Sequence, residues 1–234
     1  MSRPVFVAGR GAVTGFGRGV AALVDGVFAG ETALRPRVRT AGFAAPTEVV
    51  GEFPAGLFDA DAPEHELPRR AGRLAAEEAL AEAGQPDRRS LVLVLATTKG
   101  DMSGICGEGP SAGRGHGSPM YLARQMAMDL GLETAPSALS CACASGVVGI
   151  AAAARRVASG ECDRALVVAA DVVNEFILKG FGGMGALDPG RCRPFDEARR
   201  GVSLGDGAAA GVLTARPGES VGVRVTGWAG ANDA

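Results

Sequence analysis

Histidine is nearly absent from this sequence, with His65 and His116 the only two in 234 residues. Aromatic rings are scarce too, at nine Phe, one Trp and one Tyr. A chain so short of large rings must fill its core with small side chains, and 36 glycines point to backbone packed on backbone. Neither charge is in excess: 24 basic against 26 acidic residues leave a net charge of −2. That balance offers nucleic acid or an acidic membrane no general attraction. No apolar run approaches the roughly 20 residues of a spanning helix, and no basic region precedes a long apolar stretch at the N-terminus, so a secretory leader is not expected. Cysteines 106, 141, 143, 162 and 192 are odd in number and scattered. Cys141-Ala-Cys143 is too tight for an ordinary metal pair and has no partner cluster. Reduced thiols in a cytosolic protein are the simplest account, and neither a metal nor a cofactor is expected.

What is present is an alternation of strands and helices. Pro4–Ala8 is a buried-strand pattern running into Gly9-Arg-Gly-Ala-Val-Thr-Gly-Phe-Gly17. Its G-x-G-x-x-x-G spacing is one residue too long for a dinucleotide loop, and no strand ending in an acid follows about 20 residues on. A short helix over 20–29 ends at Gly30, and the Pro-rich residues 35–67 read as a surface excursion. Pro68 opens an amphipathic helix that runs through Ala83 and stops at Gly84. Ser90–Ala96 is a fully buried strand, and Thr97-Thr-Lys-Gly-Asp-Met102 leaves it at the end where α/β sites lie. Residues 103–118 form a Gly- and Ser-rich loop, and a helix follows over 119–130. Arg164–Asp171 is another buried strand; 172–178 read as helix, broken by Gly180–Gly185; strands are expected from 202, over 208–215 and over 221–228. This order predicts an α/β fold, βαβαβαββ, with a mostly parallel five-stranded sheet covered on both faces.

The stretch Ser137–Arg156 organises the rest. It reads as a short strand, a sharp turn, and a helix that begins at or next to Cys143 and ends before Gly160. From Ala144 to Ala154 every residue except Ser145 is apolar or small, the pattern of a helix buried on all sides. A cysteine at the head of such a helix meets free N–H groups and the positive end of the dipole, which favour a thiolate. An isolated cysteine is more often a small buried hydrophobe. Here its place between strand and helix, flanked by small residues that clear space, makes Cys143 a candidate nucleophile.

Laid out in order, these segments resemble the N-terminal half of a β-ketoacyl synthase, a condensing enzyme of the thiolase fold. Gly9–Gly17 is similar to the family's opening strand and loop, and Ala96-Thr-Thr-Lys-Gly100 to its Gly-Thr-rich turn. Cys141-Ala-Cys-Ala-Ser-Gly146 resembles the nucleophile motif, usually Thr-Ala-Cys-Ala/Ser-Ser/Thr-Gly, and so points to Cys143 instead of Cys141. Arg193-Pro-Phe-Asp196 with Gly205-Asp-Gly-Ala208 resembles a further family signature, Asp206 standing where Glu is usual. The resemblance implies acyl transfer to Cys143 from an acyl carrier protein or acyl-CoA, followed by decarboxylative condensation with a malonyl-carrier, in fatty acid or polyketide synthesis. It implies substrate-lining positions at Met102 and around Phe176–Met184, namely Phe176, Phe181, Gly182 and Met184.

The departures bear on activity. Ketosynthases have two similar halves, the second carrying two histidines, a lysine and a glycine-rich turn, and residues 1–234 correspond to the first. His65 lies in the irregular excursion, and His116 precedes the nucleophile, so neither matches those histidines. The chain alone is therefore expected not to condense, and to need a second half or a partner chain. The alternatives are a chain-length-factor-like accessory subunit, which would usually lack the cysteine, and an acyl-carrier or CoA binding module, which would need no thiolate. An uncovered face is expected to drive association, as a homodimer or with a ketosynthase subunit, near the strand Arg164–Asp171.

Overall fold

The computed structural model describes residues 3–59, 61–100 and 117–231. Among these residues, strands β1 (Val5–Thr14), β2 (Gly17–Arg18), β3 (Arg35–Pro36), β4 (Val49–Val50), β5 (Val92–Ala96), β6 (Ser137–Leu139), β7 (Arg164–Asp171), β8 (Gly207–Thr214) and β9 (Val223–Val225) are joined by five α-helices. These are α1 (Val20–Phe28), α2 (Leu67–Glu82), α3 (Pro119–Asp129), α4 (Ser145–Ser159) and α5 (Glu175–Gly183). The main sheet runs β2-β1-β8-β7-β5-β6, with β9 also on β1. β5 pairs in parallel with both β6 and β7, while β8 lies antiparallel to β7 and to β1. Four of the five principal strands therefore point one way, and only β8 opposes them. The expected mostly parallel five-stranded sheet is present in these directions, extended to seven by the short β2 and β9.

The sheet is covered on both faces, and β5 shows why its sequence is unbroken Val-Leu-Val-Leu-Ala. Leu91, Leu93 and Leu95 pack with Ala76, Leu80, Leu122 and Met126 of α2 and α3. Val92 and Val94 turn to the other face, against Ala153, Ala154 and Val157 of α4. A strand buried on both sides shows no polar alternation. β7 is likewise interior, hydrogen-bonded to β5 and β8. Both edges of β7, near which association was expected, are therefore taken, and the end of the sheet next to the Cys143 segment is β6.

Glycine does specific work in β1. A Cβ on Gly9 would overlap the Ala79 carbonyl oxygen, and one on Gly11 would overlap that of Ala75. The two glycines, spaced at the strand period, let the β1 backbone lie directly on the alanine face of α2 (Ala71, Ala75, Ala79). The spaced glycines that mimic a phosphate loop thus begin as a packing surface. From α2, Glu78 accepts the Ala12 and Val20 N–H groups at 3.0 and 2.9 Å, fixing both ends of the β1–α1 connection.

Several boundaries differ from the sequence reading, each for a local reason. α2 and α3 start and stop where Pro68, Pro119 and Gly84 indicated, with the Ser118 hydroxyl accepting the Tyr121 N–H as a cap. α5 begins later than expected, because the Asn174 side chain caps it by accepting the Ile177 N–H, and it continues through Gly180, Gly182 and Gly183. Residues 202–206 are no strand; they make single bridges, Leu187 to Val202 and Gly51 to Gly205. The last strand contracts to β9. α4 starts at Ser145 and ends on Gly160 in the left-handed region, φ 86°. It is not buried all round: Ala153, Ala154 and Val157 face the sheet, but Val147 is 73% exposed and Ile150 45%. Nothing among the described residues covers that side.

The 35–67 excursion is anchored more firmly than its composition suggests. The Glu52 carboxylate accepts the N–H groups of Val38, Arg39 and Thr40 and the Thr40 hydroxyl, at 2.7–3.1 Å. Arg39 then reaches Asp206 with two bonds of 2.8 Å, and Asp206 also accepts the Phe53 and Val173 N–H groups. Burial pushes the Asp206 carboxyl above the usual aspartate value, against the pull of Arg39 and those two amides. Asp206, the residue that departs from the family signature, is thus the knot between excursion, β8 and the segment after β7.

Two predictions follow from these contacts. Gly11→Ala should destabilise the chain by about 2–3 kcal/mol through overpacking. Gly211→Ala, whose Cβ would find its nearest neighbour 3.9 Å away, should stay within about 1 kcal/mol of wild type. Urea unfolding compares them, and equal midpoints would show that β1 and α2 do not make this contact. Burial raises the Glu52 carboxyl, but its four hydrogen bonds together outweigh that and hold it below the ordinary value of 4.5. Its stabilisation is therefore present above that value and lost as pH falls through the lowered one. Glu52→Gln should cost about 1 kcal/mol at pH 7, with the gap to wild type closing on acidification; a gap that widens toward low pH would contradict the assignment.

Candidate active site

The carboxyl ends of β6, β5 and β7 lie side by side, and each hands a polar residue to the same edge. β6 leads to Cys143, β5 to Thr97-Thr-Lys-Gly100, and β7 ends on Asp171. In open parallel sheets this edge is where chain segments separate and leave room for a ligand.

Residues 140–145 make a tight turn between β6 and α4. Ala142 sits at φ 49°, in the left-handed region that a Cβ disfavours. The turn is held there by Ser145, whose buried hydroxyl accepts the Cys141 N–H at 2.8 Å and lies 2.6 Å from the Ala142 carbonyl and 3.2 Å from that of Thr97. The Ala144 and Ser145 N–H groups go to the Cys141 and Ala142 carbonyls, so neither of these bonds uses the N–H of Cys143. Strain over-determined by surrounding bonds is a feature of functional turns. Cys143 itself is exposed, two residues before the helix starts. The helix expected to begin at or next to Cys143 starts two residues later, at Ser145, and the thiol stands clear of the core at the helix approach.

The neighbouring turn is organised by Asp171. Its carboxylate accepts the Thr97 hydroxyl at 2.9 Å, the Thr98 N–H at 2.9 Å and the Thr98 hydroxyl at 2.8 Å, and meets the Lys99 ammonium at 3.3 Å. Ser140 ties this turn to the Cys143 turn by donating to the Thr98 carbonyl at 2.7 Å. The three strand ends therefore form one hydrogen-bonded frame.

A cavity of about 360 Å³ opens inside that frame. Cys143 and Ala142 line it beside Thr98, Lys99 and Asp171, and Val172, Val173, Phe176, Ile177, Phe181 and Leu204 supply apolar surface. Of the substrate-lining positions that the sequence suggested, the structure brings Phe176 and Phe181 to Cys143. Gly182 instead lies against Pro46, and Met184 is exposed past the end of α5. Met102 and His116 lie outside the described residues, as does the 103–116 part of the loop. His65 is exposed, as expected, and far in sequence from the cavity. Larger hollows of about 750 Å³ by the excursion and about 680 Å³ by β1 and β9 hold no cysteine. Sequence reasoning passed over Lys99, Asp171 and Ser145. The first two carried a signal: Asp171 is the acid that closes the apolar run 165–170, and Lys99 stands in the polar turn that leaves β5. Among the described residues no group of three or more His, Cys, Asp or Glu could hold a metal ion, and no helix is long and apolar enough to cross a membrane.

A mostly parallel sheet with a cysteine on the strand–helix turn at its carboxyl edge is the thiolase-type arrangement. Comparison with known proteins agrees: residues 2–217 match the family described as beta-ketoacyl synthase, N-terminal domain, and the chain belongs to that family. Nodulation protein E of Rhizobium leguminosarum bv. trifolii is 28% identical over 91% of this chain and 58% of its own length. Nodulation protein E of Rhizobium meliloti is 38% identical over 41% of this chain and 24% of its own length. Among solved structures, the ishigamide ketosynthase/chain length factor superposes with a TM-score of 0.77 at 26% identity, over 92% of this chain and 59% of that one. A beta-ketoacyl synthase from Burkholderia phymatum STM815 does so with a TM-score of 0.75 at 23% identity, over the same shares, 92% and 59%. The chain thus spans under three-fifths of the length of relatives that it matches almost end to end.

The Ser145 frame makes a testable demand. Ser145→Ala leaves the Cys141 N–H without its acceptor and should cost about 1–3 kcal/mol. It should also speed amide exchange across 140–144, read by mass spectrometry. Unchanged exchange there would show that Ser145 does not hold the turn.

Proposed function

We propose that this chain carries the acyl-loading half of a β-ketoacyl synthase reaction, with Cys143 as the nucleophile. The observation that carries this reading is the exposed Cys143 thiol on a strained, hydrogen-bonded turn, lining a mainly apolar cavity. In the step proposed, the Cys143 sulfur attacks the carbonyl carbon of an acyl thioester on a carrier-protein pantetheine arm or CoA. The new S–C bond forms, the bond to the pantetheine sulfur breaks, and the cysteine proton leaves with the released thiol. The Cys143 N–H is the candidate oxyanion donor, and a second donor would come from outside this chain. Removing one oxyanion donor typically costs about 10²–10³ in rate, so loading by the chain alone is slow but measurable.

Condensation asks for more. Decarboxylating a malonyl thioester needs groups that polarise its carbonyl, and the described part of the cavity contains no histidine. We assign that step to residues beyond this chain, on a second half or a partner. The exposed Val147, Val148 and Ile150 of α4, next to the nucleophile turn, are the apolar surface such a piece would cover. Carrier protein and a ketosynthase subunit are the proposed partners. Similar solved structures include a ketosynthase in complex with its chain length factor and an acyl-carrier protein in complex with its ketosynthase. Against a purely accessory or binding role, such roles need no thiol, whereas here an exposed cysteine lines the cavity.

Intact-mass spectrometry after incubation with an octanoyl thioester tests the reading. A single acyl adduct should form on wild type and on Cys141→Ala, and be lost, by at least about 10-fold in rate, on Cys143→Ala. An adduct indifferent to Cys143, or none on a folded chain, would move the function to a non-catalytic role.

A further inference from the structure

The cavity beside Cys143 is mostly apolar but holds a buried ammonium, and that combination bears on what can fill it. The Lys99 side chain is only 9% exposed, against 32% for its partner Asp171. Their hydrogen bonding is unequal. Asp171 is already supplied by the Thr97 hydroxyl and by the Thr98 N–H and hydroxyl. Lys99 has three donors, and among the described residues its ammonium meets one acceptor, Asp171, at 3.3 Å. That is long for a charge-assisted bond, which runs at about 2.7–2.9 Å. The carboxylate is close to satisfied without the lysine, whereas the lysine depends on whatever else the cavity contains.

With the cavity open to solvent, water can serve those donors. An acyl chain entering from Cys143 displaces that water. A saturated alkyl chain offers no acceptor, so the ammonium is left buried with one long bond, an arrangement that is costly for a charged group. A chain bearing a carbonyl or hydroxyl oxygen replaces the water. We propose that Lys99 is a specificity-determining residue that makes the Cys143 cavity select oxygenated acyl groups, 3-oxo or hydroxy acyl chains, over saturated ones. This rests on the cavity being the acyl site of the proposed function and adds the substrate class to it. Sites built to hydrogen-bond a substrate group can reject analogues lacking it by about 10⁴–10⁵. Asp171 and residual water soften that here, and a preference of about 10–100-fold is expected.

The test separates binding from transfer. Amide analogues of octanoyl- and 3-oxooctanoyl-pantetheine, with NH in place of the thioester sulfur, cannot acylate the protein, so each is scored by how well it protects Cys143 from iodoacetamide. In wild type the 3-oxo analogue should protect at a concentration at least about 10-fold lower than the octanoyl analogue. Lys99→Met should close that gap, and Lys99→Arg should keep most of it. Lys99→Leu, which also removes the donors but leaves Asp171 its bonds from Thr97 and Thr98, should close it too, so the result does not hang on one replacement side chain. Equal protection in wild type, a gap unchanged in Lys99→Met, or protection by neither analogue would overturn the proposal. A gap that depends on Lys99 in a chain that takes no acyl group from thioesters would retire the transferase reading and leave the selectivity standing.

Discussion

The Asp171 carboxylate is the constraint on which the site depends. It stands at the end of an interior strand and gathers four hydrogen bonds from three consecutive residues of the next strand's exit turn. That turn presents its carbonyls to Ser140 and Ser145, which shape the turn carrying Cys143. Position thus passes from a buried strand to an exposed thiol. Every link is a hydrogen bond between residues at the ends of parallel neighbours, so the frame exists only because β6, β5 and β7 run in the same direction. An antiparallel pairing at either step would send one of the polar residues to the opposite edge of the sheet.

The second constraint is the small size of the core residues. Gly9 and Gly11 against Ala75 and Ala79 bring a strand and a helix to backbone contact, and Gly149 of α4 lies close to Ala96 and Val167 in the same way. At the glycine–alanine contact such packing leaves little slack, since side chains that stop at Cβ have no rotamers with which to absorb a shift. It also explains how a chain so poor in aromatics holds a seven-stranded sheet. Four of its eleven rings are employed elsewhere: Phe176 and Phe181 at the cavity, Phe53 and Phe58 edge-to-face in the excursion.

How much was legible in the sequence follows from what each signal measures. Helices α2 and α3 were readable because proline, serine and glycine mark their ends by local backbone chemistry. β5 and β7 were readable because a strand buried on both faces leaves an unbroken apolar run. The Cys143 turn was legible as a junction between two patterns, although not in its exposure. The α4 reading failed instructively. Composition reports that a face is apolar, not that anything covers it, and Val147, Val148 and Ile150 look the same in sequence whether a partner is present or not. α5 was misplaced because Gly180, Gly182 and Gly183 resemble a break, while the Asn174 cap that starts the helix outweighs them. The Lys99–Asp171 and Arg39–Asp206 pairs were invisible for a different reason. Each joins residues 72 and 167 positions apart, and no local pattern specifies such a meeting.

Asp206 and Asp171 show how similar groups come to differ in role. Asp206 is wholly enclosed and matched by a bidentate arginine and two amides, so it has no capacity left to meet a ligand. It orders the Phe53 and Val173 backbone, and through Val173 one lining residue of the cavity. Asp171 is partly open, and its lysine is held by a single long bond. A pair whose partners satisfy each other is architecture, because nothing entering the site can improve on it. A pair that leaves one member short of acceptors responds to whatever occupies the space beside it, and here that space is the one Cys143 faces. The asymmetry of the hydrogen bonding, more than the presence of charge, is what separates a structural knot from a group able to discriminate among substrates.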